Sequence, residues 1–134
     1  MKHFTIQELS KSTKADLLRI DNTPPENIAK SLEALIDNVL DPLREAWGAP
    51  IQVTSGYRCP AVNKAVGGSA TSQHVLGEAA DIRAIPNTRT NNKKLYGLIK
   101  KLGLPVDQCI NEYDYSWIHV SYGPRNRRMY FTIK

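Results

Sequence analysis

Val106-Asp107-Gln108-Cys109-Ile110-Asn111-Glu112-Tyr113, Trp117-Ile118-His119-Val120-Ser121-Tyr122 and Arg128-Met129-Tyr130-Phe131-Thr132-Ile133 are short segments rich in β-branched and aromatic residues. They read as three successive strands. Successive strands with short connections are most easily arranged as an antiparallel meander. Working back, residues 79–85 and 51–55 predict two more strands, with a loop over 69–77 and a helical turn or two over 60–66 that Gly67-Gly68 ends. Residues 88–102 predict a helix with Leu95, Leu98, Ile99 and Leu102 inward and lysines outward. Thr23-Pro24-Pro25-Glu26 reads as a helix start, Thr23 capping and Glu26 completing a capping box. Behind it Ile28, Leu32, Leu35, Ile36, Val39 and Leu43 recur at helical spacing. They predict a long amphipathic helix to about Trp47, kinked at Pro42 and stopped by Gly48 and Pro50. A short helix over 6–9 and a polar stretch to Asn22 come before it. The pattern is α+β, an antiparallel sheet with helices packed on one side.

At 134 residues the chain is expected to form a single domain, 1–134, able to bury a modest core. Its 18 basic and 13 acidic residues leave a net charge of +5, part of it in Pro124-Arg125-Asn126-Arg127-Arg128. Such a field favours anionic partners, whether nucleic acid, anionic membrane or a wall rich in carboxylates and phosphates, and does not choose among them. Zinc-finger spacing and aromatic-plus-basic recognition motifs are missing, so no nucleic-acid partner is expected. Cys59 and Cys109, the only cysteines, make neither a disulfide framework nor a metal-ligand pair and read as reduced packing residues. The start of the chain has no apolar signal core, and no segment approaches a membrane span. The expectation is a monomer synthesised in the cytoplasm, which reaches an outside substrate only if released or carried by another component.

Ser72-Gln73-His74-Val75-Leu76-Gly77-Glu78-Ala79-Ala80-Asp81, answered by Trp117-Ile118-His119-Val120, carries the chemistry. Two imidazoles and a carboxylate are the three-ligand set of a catalytic zinc site, which leaves the fourth position to water. Gly77 lets the chain bend so that His74 and Asp81, seven apart, can face one point. Taken singly, either histidine is an ordinary surface or core residue. Asp81, however, sits among Ala79, Ala80 and Ile82, where an unpaired carboxylate is costly to bury. His119 repeats the pattern between Ile118 and Val120.

A zinc hydrolase also needs a group that moves the proton from the attacking water to the leaving nitrogen. A hairpin with Tyr115-Ser116 at its tip would set Glu112 opposite His119, beside the metal without being a ligand. Asp114, two residues on along the same face, is the rival; a solvated hairpin carboxylate is the plain alternative for both. Arg58, in Ser55-Gly56-Tyr57-Arg58-Cys59-Pro60 after the first strand, is suited to hold a substrate carboxylate by a two-pronged hydrogen bond. Ser72 could donate to the same group, or be an ordinary loop serine.

Ser-Gly-Tyr-Arg at 55–58, Ser-x-His-x-x-Gly-x-Ala-x-Asp at 72–81 and Trp-Ile-His-Val at 117–120 resemble the zinc D-alanyl-D-alanine carboxypeptidases and L-alanyl-D-glutamate endopeptidases. These cut bacterial peptidoglycan peptides and share a fold with the amino-terminal domain of hedgehog proteins. The resemblance implies one zinc on His74, Asp81 and His119, substrate contacts from Arg58 and Ser72, and an acidic base before the last histidine. One departure stands out: many members place that acid three residues before the final histidine, where this chain has Ser116. Others place a glutamate at the end of the preceding strand, as Glu112 would be. The implied function is a zinc metallopeptidase acting on peptidoglycan stem peptides, of a size found among phage-encoded lytic enzymes. The alternative is a non-catalytic, zinc-containing wall-binding or assembly domain of the same fold.

Overall fold

The computed structural model describes residues 1–134. Two short helices open it: α1 (Ile6–Ser10), capped by the Thr5 hydroxyl on the Glu8 N–H, and α2 (Thr13–Leu18), capped by Ser12 on Ala15. The second lies inside the stretch expected to be irregular. It buries only Ala15, so no apolar periodicity announces it.

The long helix is present but begins at Glu26, after Pro25, with no side-chain cap. Thr23 instead donates its N–H to Asp21, so the expected capping box does not form. The helix runs as α3 (Glu26–Leu35), a π turn over Ile36–Leu40 and α4 (Asp41–Trp47), ending at Gly48 with φ +73°. Asp41 donates to the Ile36 carbonyl, five residues back. In a regular helix the Pro42 ring would meet the carbonyl of Asn38; the widened turn in front of it takes up that misfit. The expected kink is thus a π turn.

The sheet holds β1 (Ile51–Ser55), β2 (Ala79–Ala84), β3 (Gln108–Glu112), β4 (Trp117–Ser121) and β5 (Met129–Ile133), in the order β1-β2-β4-β3-β5. Helix α5 (Pro60–Ala65) follows β1 and α6 (Arg89–Leu102) follows β2. β1–β2, β2–β4 and β3–β4 are antiparallel, but β5 pairs parallel with β3. The three C-terminal strands therefore do not make a meander. β2 already occupies the outer edge of β4, and β5 crosses to the free edge of β3.

Side-chain alternation gives the sheet two unlike faces. Ala80, Ile82, Cys109, Ile118 and Val120 join the buried cluster with Leu32, Leu35, Ile36, Val39 and Leu43 of the long helix and with Leu95 and Ile99 of α6. Leu102, expected inward, is exposed; Asn92 is buried in α6 instead. Its side chain accepts from Ala84 N–H and donates to the carbonyl of Tyr115, tying helix, strand and hairpin loop together. The other sheet face carries Asp81 and His119. Cys59 and Cys109 are both free thiols.

Candidate metal centre

His74 sits in a run of tight turns in which Val75 N–H reaches the Ser72 carbonyl, Leu76 reaches Gln73 and Gly77 reaches His74. Gly77 takes φ +69° and lies so close to Ile28 that a Cβ there would meet its side chain and carbonyl. This glycine is needed both for the bend and for the approach to α3. Asp81 in β2 and His119 in β4 are direct cross-strand partners on the face away from the core. The structure thus brings His74, Asp81 and His119 together, with potential ligand atoms all within 4.8 Å of one another.

The hydrogen-bond pattern around them says what the cluster can hold. His74 Nδ1 is 2.7 Å from the Gly56 carbonyl, which can only accept, so Nδ1 carries the proton and Nε2 offers a lone pair. That Nε2 is 3.4 Å from Asp81 Oδ1. His119 mirrors it, with Nε2 3.2 Å from Gln73 Oε1 and Nδ1 3.2 Å from the same Asp81 oxygen. Both imidazoles spend a proton outward and turn a lone pair towards a carboxylate. Three acceptors converging on one point repel unless a cation sits among them. Two imidazole nitrogens and one carboxylate oxygen form a zinc donor set with room for a fourth ligand, so these residues fit that metal. Burial pushes the Asp81 carboxyl up, but the neighbouring His119 and His74 outweigh this and hold its pKa below the ordinary carboxylate range.

Around the cluster, Arg58 extends a guanidinium Nη2 to within 3.1 Å of Ser72 Oγ, which also accepts from His74 N–H at 3.2 Å. Arg58 Nε is buried and has no partner. Desolvation lowers the Arg58 pKa, and the charges of Asp81 and Glu112 oppose it. A half-buried arginine with an unspent N–H, in the field of this cluster, is suited to an anionic guest. The two residues expected to share one substrate group are hydrogen-bonded to each other.

Glu112 is not opposite His119. It pairs with Trp117, while Ile110 faces His119. The register differs by two residues from the expected one, because the connection spans Tyr113 to Ser116 and puts Tyr113, Asp114 and Tyr115 in left-handed conformations, φ 50°, 54° and 62°. Asn111 Oδ1 accepts from Tyr115 N–H and Asn92 holds the Tyr115 carbonyl, so side chains stabilise a loop that has no glycine to announce it. A shift of two leaves the face unchanged. Glu112 therefore stands diagonally beside His119, with Oε2 3.2 Å from Trp117 Nε1. Burial raises its pKa and the Asp81 charge adds to that, against the pull of His119. Asp114 turns away at the loop tip, where Arg89 Nε binds its Oδ1 at 2.9 Å.

Sequence reasoning missed Gly56 and Gln73, whose oxygens fix both imidazoles. Gly56 is pinned by packing: a Cβ there would collide with the Leu9 carbonyl, while Tyr57 N–H bonds that same carbonyl at 2.7 Å. Gln73 was visible only as the neighbour of His74.

Residues 2–121 match the Peptidase M15 family, whose members are zinc D-alanyl-D-alanine carboxypeptidase-like enzymes. The chain belongs to this family. Membership accounts for a metal-competent cluster on the open sheet face, because M15 peptidases depend on zinc. The match ends at Ser121, so Arg125, Arg127 and β5 lie beyond it. No curated protein matches the chain. No helix is long and apolar enough to cross a membrane.

Proposed function

We propose that this M15 peptidase hydrolyses peptidoglycan stem peptides, at a bond with a substrate carboxylate within reach of Arg58. The observation that carries the reading is the convergence of His74 Nε2, His119 Nδ1 and Asp81 Oδ1 with both outward imidazole nitrogens already committed as donors. Zinc held by His74, Asp81 and His119 would supply Lewis acidity, able to polarise a carbonyl and to lower the pKa of a water towards about 7.

The rest belongs to the protein's own groups. Glu112, outside the ligand set and with its pKa raised by burial, takes a proton from the attacking water at a carboxylate oxygen and returns it to the leaving amine. Its hydrogen bond from Trp117 Nε1 holds the carboxylate on the site face. Arg58, steadied by Ser72, pairs with a carboxylate of the stem peptide and fixes the scissile bond against the cluster. The two cleavages its relatives suggest, of terminal D-Ala-D-Ala or of internal L-Ala-D-Glu, both leave a substrate carboxylate near the cut. Mass spectrometry of purified muropeptides incubated with the zinc-loaded protein, with and without chelator, tests the reading and names the bond. Chelator-sensitive loss of one peptide increment is expected; an unchanged muropeptide profile would overturn it.

A further inference from the structure

A second cluster of polar groups lies behind His119, on the side away from Asp81. Gln73 Nε2 donates to Asp107 Oδ2 at 2.8 Å. Asp107 is 2% exposed, and its Oδ1 accepts from Arg127 N–H at 3.1 Å and Arg127 Nε at 2.8 Å. Arg127 Nη2 reaches Oδ2 at 3.1 Å, and Arg125 Nη2 stands 3.7 Å from the same oxygen. A buried carboxylate gripped in this way is ionised and can only accept. The orientation of the Gln73 amide is therefore dictated: its NH₂ must face Asp107, and its carbonyl must face His119. An oxygen 3.2 Å from His119 Nε2 puts the imidazole proton on that nitrogen and leaves Nδ1 free towards Asp81.

We propose that Gln73 is a positioning residue for the metal centre, setting the tautomer and ring orientation of His119, and that Asp107, clamped by Arg127, sets Gln73. The inference rests on the zinc reading of the site, but concerns residues that neither bind metal nor touch substrate. A plain structural role for the chain of contacts would stabilise the fold without favouring one nitrogen of His119. The geometry does favour one, because every link has a fixed direction of donation, from His119 Nε2–H to Gln73, from Gln73 to Asp107 and from Arg127 to Asp107. It also ties the centre to the 122–128 connection, beyond the residues that match the family.

The test uses the full chain loaded with zinc. Gln73→Met keeps length and approximate volume but removes the amide. It should weaken zinc binding, measured by chelator competition, by about 10–100-fold, as is typical when an outer partner of a ligating histidine is lost. In long-range ¹H–¹⁵N spectra of the zinc-loaded wild type, His119 should carry its proton on Nε2 with slow solvent exchange. In Gln73→Met that exchange should become fast, while thermal melting of the zinc-free protein shows the fold retained. Asp107→Asn should also weaken zinc binding, yet add little in the double variant, because both act through one chain. Zinc affinity within twofold of wild type in Gln73→Met, a proton on His119 Nδ1, or fully additive losses in the double variant would each overturn the proposal. These readouts do not depend on turnover: a zinc-binding but inactive wild type would refute the peptidase reading and leave the relay to be judged by affinity. A wild type without zinc affinity would refute both.

Discussion

Two carboxylates on one hairpin are separated by what surrounds them. Glu112 is half-buried, on the face of the sheet that carries His119, and bound by Trp117; Asp114 is exposed and neutralised by Arg89. Glu112→Gln removes the proton acceptor and keeps the hydrogen bond from Trp117. Turnover of a muropeptide should fall by about 100-fold or more while zinc stays bound, since general acid–base groups contribute about 10²–10⁴-fold. Asp114→Asn should change turnover little; the reverse ranking would reassign the base. Arg58→Ala should spare zinc and lose activity mainly on substrates with a free carboxylate near the cut. A cost of about 2–5 kcal/mol is expected for a desolvated charge pair. Equal losses on carboxylate-bearing and amidated peptides would make Arg58 structural. All these side chains were nameable from the sequence. The different surroundings of the two carboxylates emerged only from the register that the loop Tyr113–Ser116 sets and from the Arg89 contact with Asp114.

The junction of α1 with the end of β1 is built on Gly56, where the chain passes against the Leu9 carbonyl too closely for a side chain. Gly56 also holds His74 Nδ1 through its own carbonyl. Gly56→Ala must push the two backbones apart. Overpacking of this kind costs about 1–3 kcal/mol, and the moved carbonyl should loosen zinc as well. A lower melting temperature together with weaker zinc binding is the expected pair of results; unchanged zinc affinity would separate the packing role from the site. The strands and long helices were legible in the sequence because apolar periodicity records burial. Helix α2 was not, because it buries Ala15 alone, and neither was the π turn, which the sequence showed only as a kink at Pro42. Strand β5 was legible as a strand but not as a parallel edge, since its own residues do not record which neighbour is already taken.

Across the whole molecule, folding and metal binding should be linked. Protein purified without chelator should hold close to one zinc per chain, and His119→Ala should lose it. Zinc at about 100 times its Kd should stabilise the fold by about 2.7 kcal/mol, read as a rise in melting temperature that chelator reverses. The absence of any shift would contradict a preformed site. Stability should also fall in acid through Asp107. Its hydrogen bonds from Arg127 lead the causes that hold its folded pKa down at about 2. The contribution is present above the ordinary carboxylate value near 4 and is lost as pH falls from there through about 2, amounting to about 2 kcal/mol. Asp107→Asn should flatten the melting profile between those limits. By itself, the sequence determined the inventory: an α+β chain with two imidazoles and a carboxylate in apolar surroundings, and an arginine at a strand end. Those features are local, set by composition, periodicity and the cost of burying charge. Only the tertiary structure decided the strand order, the two-residue register of the hairpin, and the oxygens of Gly56 and Gln73 that turn both histidines to one point. Each of these depends on atoms distant in the chain, where hydrogen-bond direction and excluded volume, rather than residue type, fix the outcome.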